Sequence, residues 1–312
     1  MQFPTRIRTV AAFSALFVSA AACSGGPQTL GYAQPASSLV GKHAYPSCTN
    51  QRKFVSDVRN SAIYIYSNGV LCGIMDKTQG LFGPAGLAVD FKGNLWVANY
   101  YGNSILEFAS PYTGQPIKTL PDSFGSPYDV VVCKGYIAAT NTTGRKMGSV
   151  TIYRNGTSYQ LEDTTSIGEV FAACDPSGNL FVDGLGKTTY SSATEWVGGK
   201  KPAISLEAVG ASLRFPGGVK YDAGLVYFLD QASGVLQGWQ APFQTPSKTI
   251  KLQNTGEPNG FAFAPTDEEI LVADGSGFAA HYDLNGKQTL VLYPPLSGAQ
   301  PTGAAYERLD AK

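Results

Sequence analysis

Histidine is close to absent: the chain has two, His43 and His281, among 312 residues. No Ser/His/Asp arrangement can be assembled and no G-x-S-x-G elbow occurs, so a nucleophile would lack the base that activates it. Charge is also sparse. Charged residues make up 15% of the chain and acids balance bases, so the basic patch or stripe of a nucleic-acid footprint is missing. No C-x-x-C occurs, which removes the usual dithiol redox site. Helical periodicity is lacking too, because no segment longer than a turn or two repeats its apolar residues every 3.6 positions. The apolar run near the start, Thr9 to Ala22, is too short to span a bilayer as a helix.

What the chain has instead is a repeat. Similar segments begin at Pro84, Pro127, Glu169, Pro216 and Pro258, at intervals of 42 to 47 residues. Each opens on a short apolar run such as Gly86 to Val89, turns at a Gly-containing stretch (Lys92, Gly93, Asn94) and continues in a β-branched and aromatic run, Leu95 to Ala98. Two further short runs follow. Four strands joined by tight turns make one antiparallel sheet, and a period of this length repeated about an axis makes a propeller. The ends complete each other: Lys53 to Met75 matches the last three strands of a copy, and Pro301 to Glu307 matches a first strand. The predicted fold is therefore all-β, a six-bladed β-propeller of four-stranded antiparallel blades, closed by a C-terminal strand joining the N-terminal blade. An open solenoid with two ragged caps is the rival arrangement.

The string from Gly86 to Asn99, "GLAVDFKGNLWVAN", resembles the blade core of the NHL-repeat family of six-bladed propellers, and it is echoed at Cys174 to Asp183 and Phe261 to Asp274. The Trp-Asp signature of WD repeats is absent. The resemblance covers Lys53 to Glu307 and implies the fold. It leaves function open, since such propellers serve as lyases, lactonases and binding domains. Lyases of this fold use a histidine at the channel mouth, and neither His43 nor His281 stands at a matching position.

Arg6 and Arg8 precede the apolar run, which ends in Ala20-Ala21-Ala22-Cys23. Residues 1–22 read as a secretory signal. Cys23 followed by Ser24-Gly25-Gly26 resembles a bacterial lipobox, with Ala20 where leucine is usual, so lipidation of Cys23 is expected, with ordinary signal-peptidase cleavage as the alternative. Acyl chains there would anchor the protein to a membrane without a spanning helix. Residues 23–50, rich in small and polar side chains, read as a tether, and 51–312 as the propeller. Loss of Arg6 and Arg8 leaves 21 basic against 23 acidic residues. Four cysteines remain. An exported chain with an even number permits two disulfides, and Cys48 with Cys72 and Cys133 with Cys174 are the favoured pairs, against free thiols or another pairing.

Three groups of residues could carry function. Asp57, Asn99, Asn141, Asp183, Asp230 and Asp274 end the second strand of each copy and read as turn-fixing side chains. The first residues of the inner strands are expected to ring the channel mouth. There "PNGFAFAPTDEEILVAD" at Pro258 to Asp274 resembles the strand that supplies a metal-binding Asn in the gluconolactonase and regucalcin family. The resemblance implies a metal-binding role for Asn259, although Thr302 stands where that family has Asp; Glu169 and Asp129, at comparable heights on other blades, could complete an oxygen-ligand site for Ca²⁺. The third group is aromatic: Phe82, Phe124 and Phe215 precede inner strands, and Tyr100, Tyr101 and Tyr128 share their face. Such rings pack between blades or recognise a partner. The acidic run Asp267-Glu268-Glu269 reads as solvated surface. The leading expectation is a lipid-anchored, cell-envelope, non-enzymatic module binding an envelope protein or glycan, with no cofactor. A divalent-metal-dependent, lactonase-like hydrolase is the alternative, its metal polarising an ester carbonyl.

Overall fold

The computed structural model describes residues 45–48, 50–144, 148–266 and 268–308. The signal segment, Cys23 and the tether up to residue 44 lie outside the described residues, as does Asp267. Six four-stranded antiparallel sheets form the blades. Blade 1 joins the last strand, Pro301–Tyr306, to Lys53–Asp57, Ala62–Ser67 and Val70–Met75. The inner strands of blades 2 to 6 are Pro84–Val89, Gly125–Cys133, Ser166–Cys174, Pro216–Asp222 and Pro258–Phe263. Each inner strand touches the next, and blade 6 returns to blade 1, so the ring is closed. The one α-helix among the described residues, Glu207–Ser212, lies between blades 4 and 5.

Local chemistry explains the turns. In blade 2 the Asp90 carboxylate accepts from Lys92 N at 2.8 Å and Asn94 N at 2.9 Å, and Gly93 takes φ 80° to complete the reversal. The same D-x-x-G-N string recurs at Asp175 to Asn179, where Asp175 accepts from Asn179 N at 2.8 Å and Gly178 has φ 88°. A left-handed φ of this size is open to glycine at no steric cost.

The core is divided into six clusters, one between each pair of adjacent blades. Phe54, Ile63, Leu87 and Val97 fill the space between blades 1 and 2. Val55, Tyr64, Ala273 and Ala304 fill that between blades 6 and 1. Full burial of a Phe, Ile, Leu or Val among them is worth about 1.5–3 kcal/mol, and because every blade is sandwiched, each contributes to two clusters.

Closure is the sheet pairing plus a polar clasp. Phe54 pairs with Ala305 and Lys53 with Tyr306. Arg52 meets Glu307 at 2.7 Å. Glu269, read from sequence as part of a solvated acidic run, is instead tied in: it accepts from Lys53 Nζ at 2.8 Å and Tyr306 Oη at 3.0 Å and pairs with His281 Nδ1 at 2.8 Å. The third strand of blade 6 brings His281 across from Leu271 on its neighbour, and that placement turns Glu269 into the link between blades 6 and 1. Glu268 is exposed.

Two disulfides are present. Cys48–Cys72 staples the segment before blade 1 to that blade's outer strand. Cys133–Cys174 joins the last residues of the inner strands of blades 3 and 4. Disulfides persist in oxidising compartments, which points to an extracytoplasmic location. No described helix is long and apolar enough to cross a membrane.

Candidate functional site

The face carrying the loops into the inner strands and out of the second strands is the upper face. There the axis is shut. A Cβ on Gly86 would stand 2.6 Å from Asp129 Cα of blade 3, and one on Gly303 would stand 3.0 Å from Gly86 Cα. Backbones approach this closely only because neither residue has a side chain. Blade-to-blade hydrogen bonds complete the seal. Ser56 Oγ, held by Gly303 N of its own blade, donates to Ala85 O of blade 2, and Thr140 Oγ1 donates to Val170 O at 2.7 Å. These strand ends, expected to ring the channel mouth, are buried and packed against the neighbouring blades.

Asp129, Glu169 and Asn259 lie inside this seal, 1%, 1% and 4% exposed. The two Asp129 oxygens accept from Val130 N at 2.9 Å and from Ala172 N of blade 4 at 3.1 Å. Asn259 accepts from Gln231 Nε2 at 2.6 Å and donates to Pro301 O at 3.2 Å. Glu169 Oε1 has no partner, nor does Oδ2 of Asp183. Burial pushes the Glu169 carboxyl well above the usual range, helped by Asp163, and burial does the same to Asp183, helped by Glu169 and Asp129. The set does not fit a hard cation, which takes six to eight oxygens. Asp129 and Asn259 spend their oxygens on protein donors. Among the described residues no three His, Cys, Asp or Glu side chains are grouped to hold a metal ion.

The residues ending the second strands do more than fix the following turn. Asp230 accepts from Arg214 N and Phe215 N, both at 3.1 Å, and Asp274 from Gly256 N and Glu257 N, both at 2.8 Å. These amides belong to the loops that lead into the inner strands. In blades 3 and 4 the polarity is reversed: the acid sits in the loop, at Asp122 and Asp163, and accepts from Thr151 and Thr194 of the third strand. Sequence reasoning missed that pair, although both the two acids and the two threonines recur one repeat apart.

The aromatic group is assembled into a ladder on the upper face. Ring centroids step from Phe82 to Tyr101 at 5.7 Å, to Tyr100 at 4.9 Å, to Tyr128 at 5.8 Å and to the buried Phe171 at 5.4 Å, every pair edge-to-face. Such pairs are worth about 0.5–1.5 kcal/mol each beyond burial. The frame is rigid. Asn99 Oδ1 accepts from Phe82 N at 2.6 Å, and Tyr100 N and Tyr101 N bond Gly83 O and Phe82 O, each at 3.0 Å. Burial raises the Tyr128 hydroxyl above its ordinary pKa, with Tyr100 and Asp129 adding to the rise. Phe124 is half-buried and makes no ring contact with the ladder; its amide bonds Asp122 Oδ1 at 3.0 Å.

Beyond the ladder, Tyr190 and Tyr293 also stand on upper-face loops. Exposure is 52% at Phe82, 54% at Tyr101, 83% at Tyr190 and 73% at Tyr293. Four blades contribute to this set or its loops, whereas the lower face has Phe91 as its ring of comparable exposure, at 69%. Tyr190 and Tyr293 carried no signal in the repeat, because their loops differ in length from copy to copy.

No protein-family model matches the chain, and no curated protein matches it. Solved structures do share its fold. A structure of a nidogen/laminin complex matches 83% of this chain and 99% of its own, at 15% identity and a TM-score of 0.68. A protein of unknown function from Bacteroides caccae covers 83% of this chain and 100% of its own, at 10% identity and a TM-score of 0.62. Virginiamycin B lyase from Staphylococcus aureus is also similar, over 70% of this chain and 73% of its own, at 13% identity and a TM-score of 0.51. At these identities the likeness is one of fold: the chain is a six-bladed β-propeller.

Proposed function

We propose that this propeller is a binding module of the bacterial cell envelope, lipid-anchored at Cys23, that presents its upper face to a protein partner. The observation that carries the reading is the set of four rings, Phe82, Tyr101, Tyr190 and Tyr293, each more than half exposed on one face. Large rigid rings give contact area at little entropic cost, which is why Tyr anchors interfaces. Their spread over several blades suits a macromolecule better than a small ligand. The nidogen neighbour was solved in complex with laminin, so a propeller of this shape serves protein binding there. The NHL-like blade core at Gly86 to Asn99 agrees with a scaffold of this kind, and the sealed upper axis favours binding over catalysis at that face.

The test compares envelope extracts passed over wild-type protein, over a Phe82→Ala/Tyr101→Ala/Tyr190→Ala/Tyr293→Ala variant, and over Phe91→Ala. The expected result is a discrete protein retained by wild type and Phe91→Ala and lost from the four-ring variant, with unchanged circular dichroism. Equal retention by all three overturns the reading, and retention of glycans alone reassigns the face to sugar. Fractionation of a Cys23→Ala form tests the anchor, which requires that form to leave the membrane pellet.

A further inference from the structure

The axis that is shut above opens below. At the lower face a cavity of about 610 Å³ is walled by the second halves of all six inner strands. Val89, Val131, Val132, Ala173 and Phe263 supply much of its lining. Small-molecule sites run to about 300–1,000 Å³ and combine apolar walls with a few placed polar groups. Sealed at one end by the glycine contacts, the cavity is a blind funnel.

The placed group is Lys220. Its neighbour Val219 is buried between blades 4 and 5, while Lys220 itself lines the funnel and is half-buried. The carboxyl that the Lys220 charge acts on is Asp129, at the sealed end: burial raises that carboxyl and Lys220 opposes the rise. Asp222 and Arg308, at the rim, are each engaged by other groups of the protein. A half-buried cation in a funnel lined by polar and apolar surface in near-equal parts offers an anion a charge-assisted hydrogen bond, stronger there than in water.

We propose that the lower funnel binds a small carboxylate with an apolar body, its carboxylate on Lys220 and its hydrocarbon against Val89, Val131 and Phe263. The site is independent of the upper-face rings. Calorimetric titration of the mature chain with trans-cinnamate, octanoate and the neutral isostere cinnamyl alcohol tests it. Wild type is expected to bind the carboxylates more tightly than the alcohol. Lys220→Met should weaken the carboxylates roughly 10- to 100-fold, the worth of one charge-assisted bond, and leave the alcohol within about twofold. Lys220→Gln provides the same comparison should the methionine variant fail to fold. Tyr101→Ala should change none of these affinities. Absence of binding of both carboxylates to wild type at millimolar concentration overturns the proposal, as does equal carboxylate affinity in wild type and the Lys220 variants.

Discussion

Breaking Cys133–Cys174 should lower the melting temperature more than any other cut in the described ring's covalent frame. The bridge spans 41 residues, and loop closure over that length removes denatured-state entropy worth about 4 kcal/mol at 25 °C. For a domain of this size each kcal/mol moves the transition by about 2–4 °C, so Cys133→Ala/Cys174→Ala should melt roughly 8–16 °C lower. The Cys48–Cys72 loop is shorter, 24 residues, and its loss should cost about 3.5 kcal/mol. Scanning calorimetry on the two double variants, with and without dithiothreitol, measures both shifts and their order. Reductant should bring wild type down to the sum of the two losses and leave a variant lacking all four cysteines unmoved. The reasoning fails if reduced wild type, its four thiols verified by titration after denaturation, melts where the oxidised protein does.

Glu269 gives a pH test. Burial would raise its carboxyl, yet Lys53 and His281 bring it down to about 2. A depressed carboxyl stabilises the fold above its unfolded value near 4.3 and loses that contribution as pH falls toward 2. Glu269→Gln should therefore lower the melting temperature by several degrees at pH 7 and by much less at pH 3, read by fluorescence melts across that range; a loss independent of pH contradicts the clasp. Glu169 should behave in the opposite sense. Its carboxyl is raised, so its contribution is whole below about pH 4 and is lost as pH rises through the folded value. Melts of Glu169→Gln should improve relative to wild type from pH 4 to pH 8, and a difference that stays flat with pH refutes the account of this unpartnered carboxyl.

The blades were legible because each is written in local signals repeated along the chain. The D-x-x-G-N turns at Asp90 and Asp175 and the complementary ends at Lys53 and Pro301 fix strand count, order and closure without reference to any distant contact. What the seal and the funnel required was distance between strands far apart in sequence. Gly86 and Gly303 look like two ordinary strand glycines until the fold sets each against a neighbouring backbone. For the same reason Asp129 and Asn259 read as residues ringing a mouth, when their side chains are consumed in stitching blades together. Glu269 was misjudged through its neighbours: an acidic run is solvated unless one member meets Lys53 from the far end of the chain. The ladder was half legible. Tyr100, Tyr101 and Tyr128 follow from strand ends, while Tyr190 and Tyr293 occupy loops that keep no period.

The central claim is that the upper face meets a protein, and site-specific photo-crosslinking in intact cells tests it most directly. A benzophenone side chain placed at Tyr101 or Tyr190, and at Phe91 on the opposite face as control, should give one discrete adduct from each upper position and none from Phe91. Adducts of equal yield from both faces, or none from Tyr101 and Tyr190, would contradict the account.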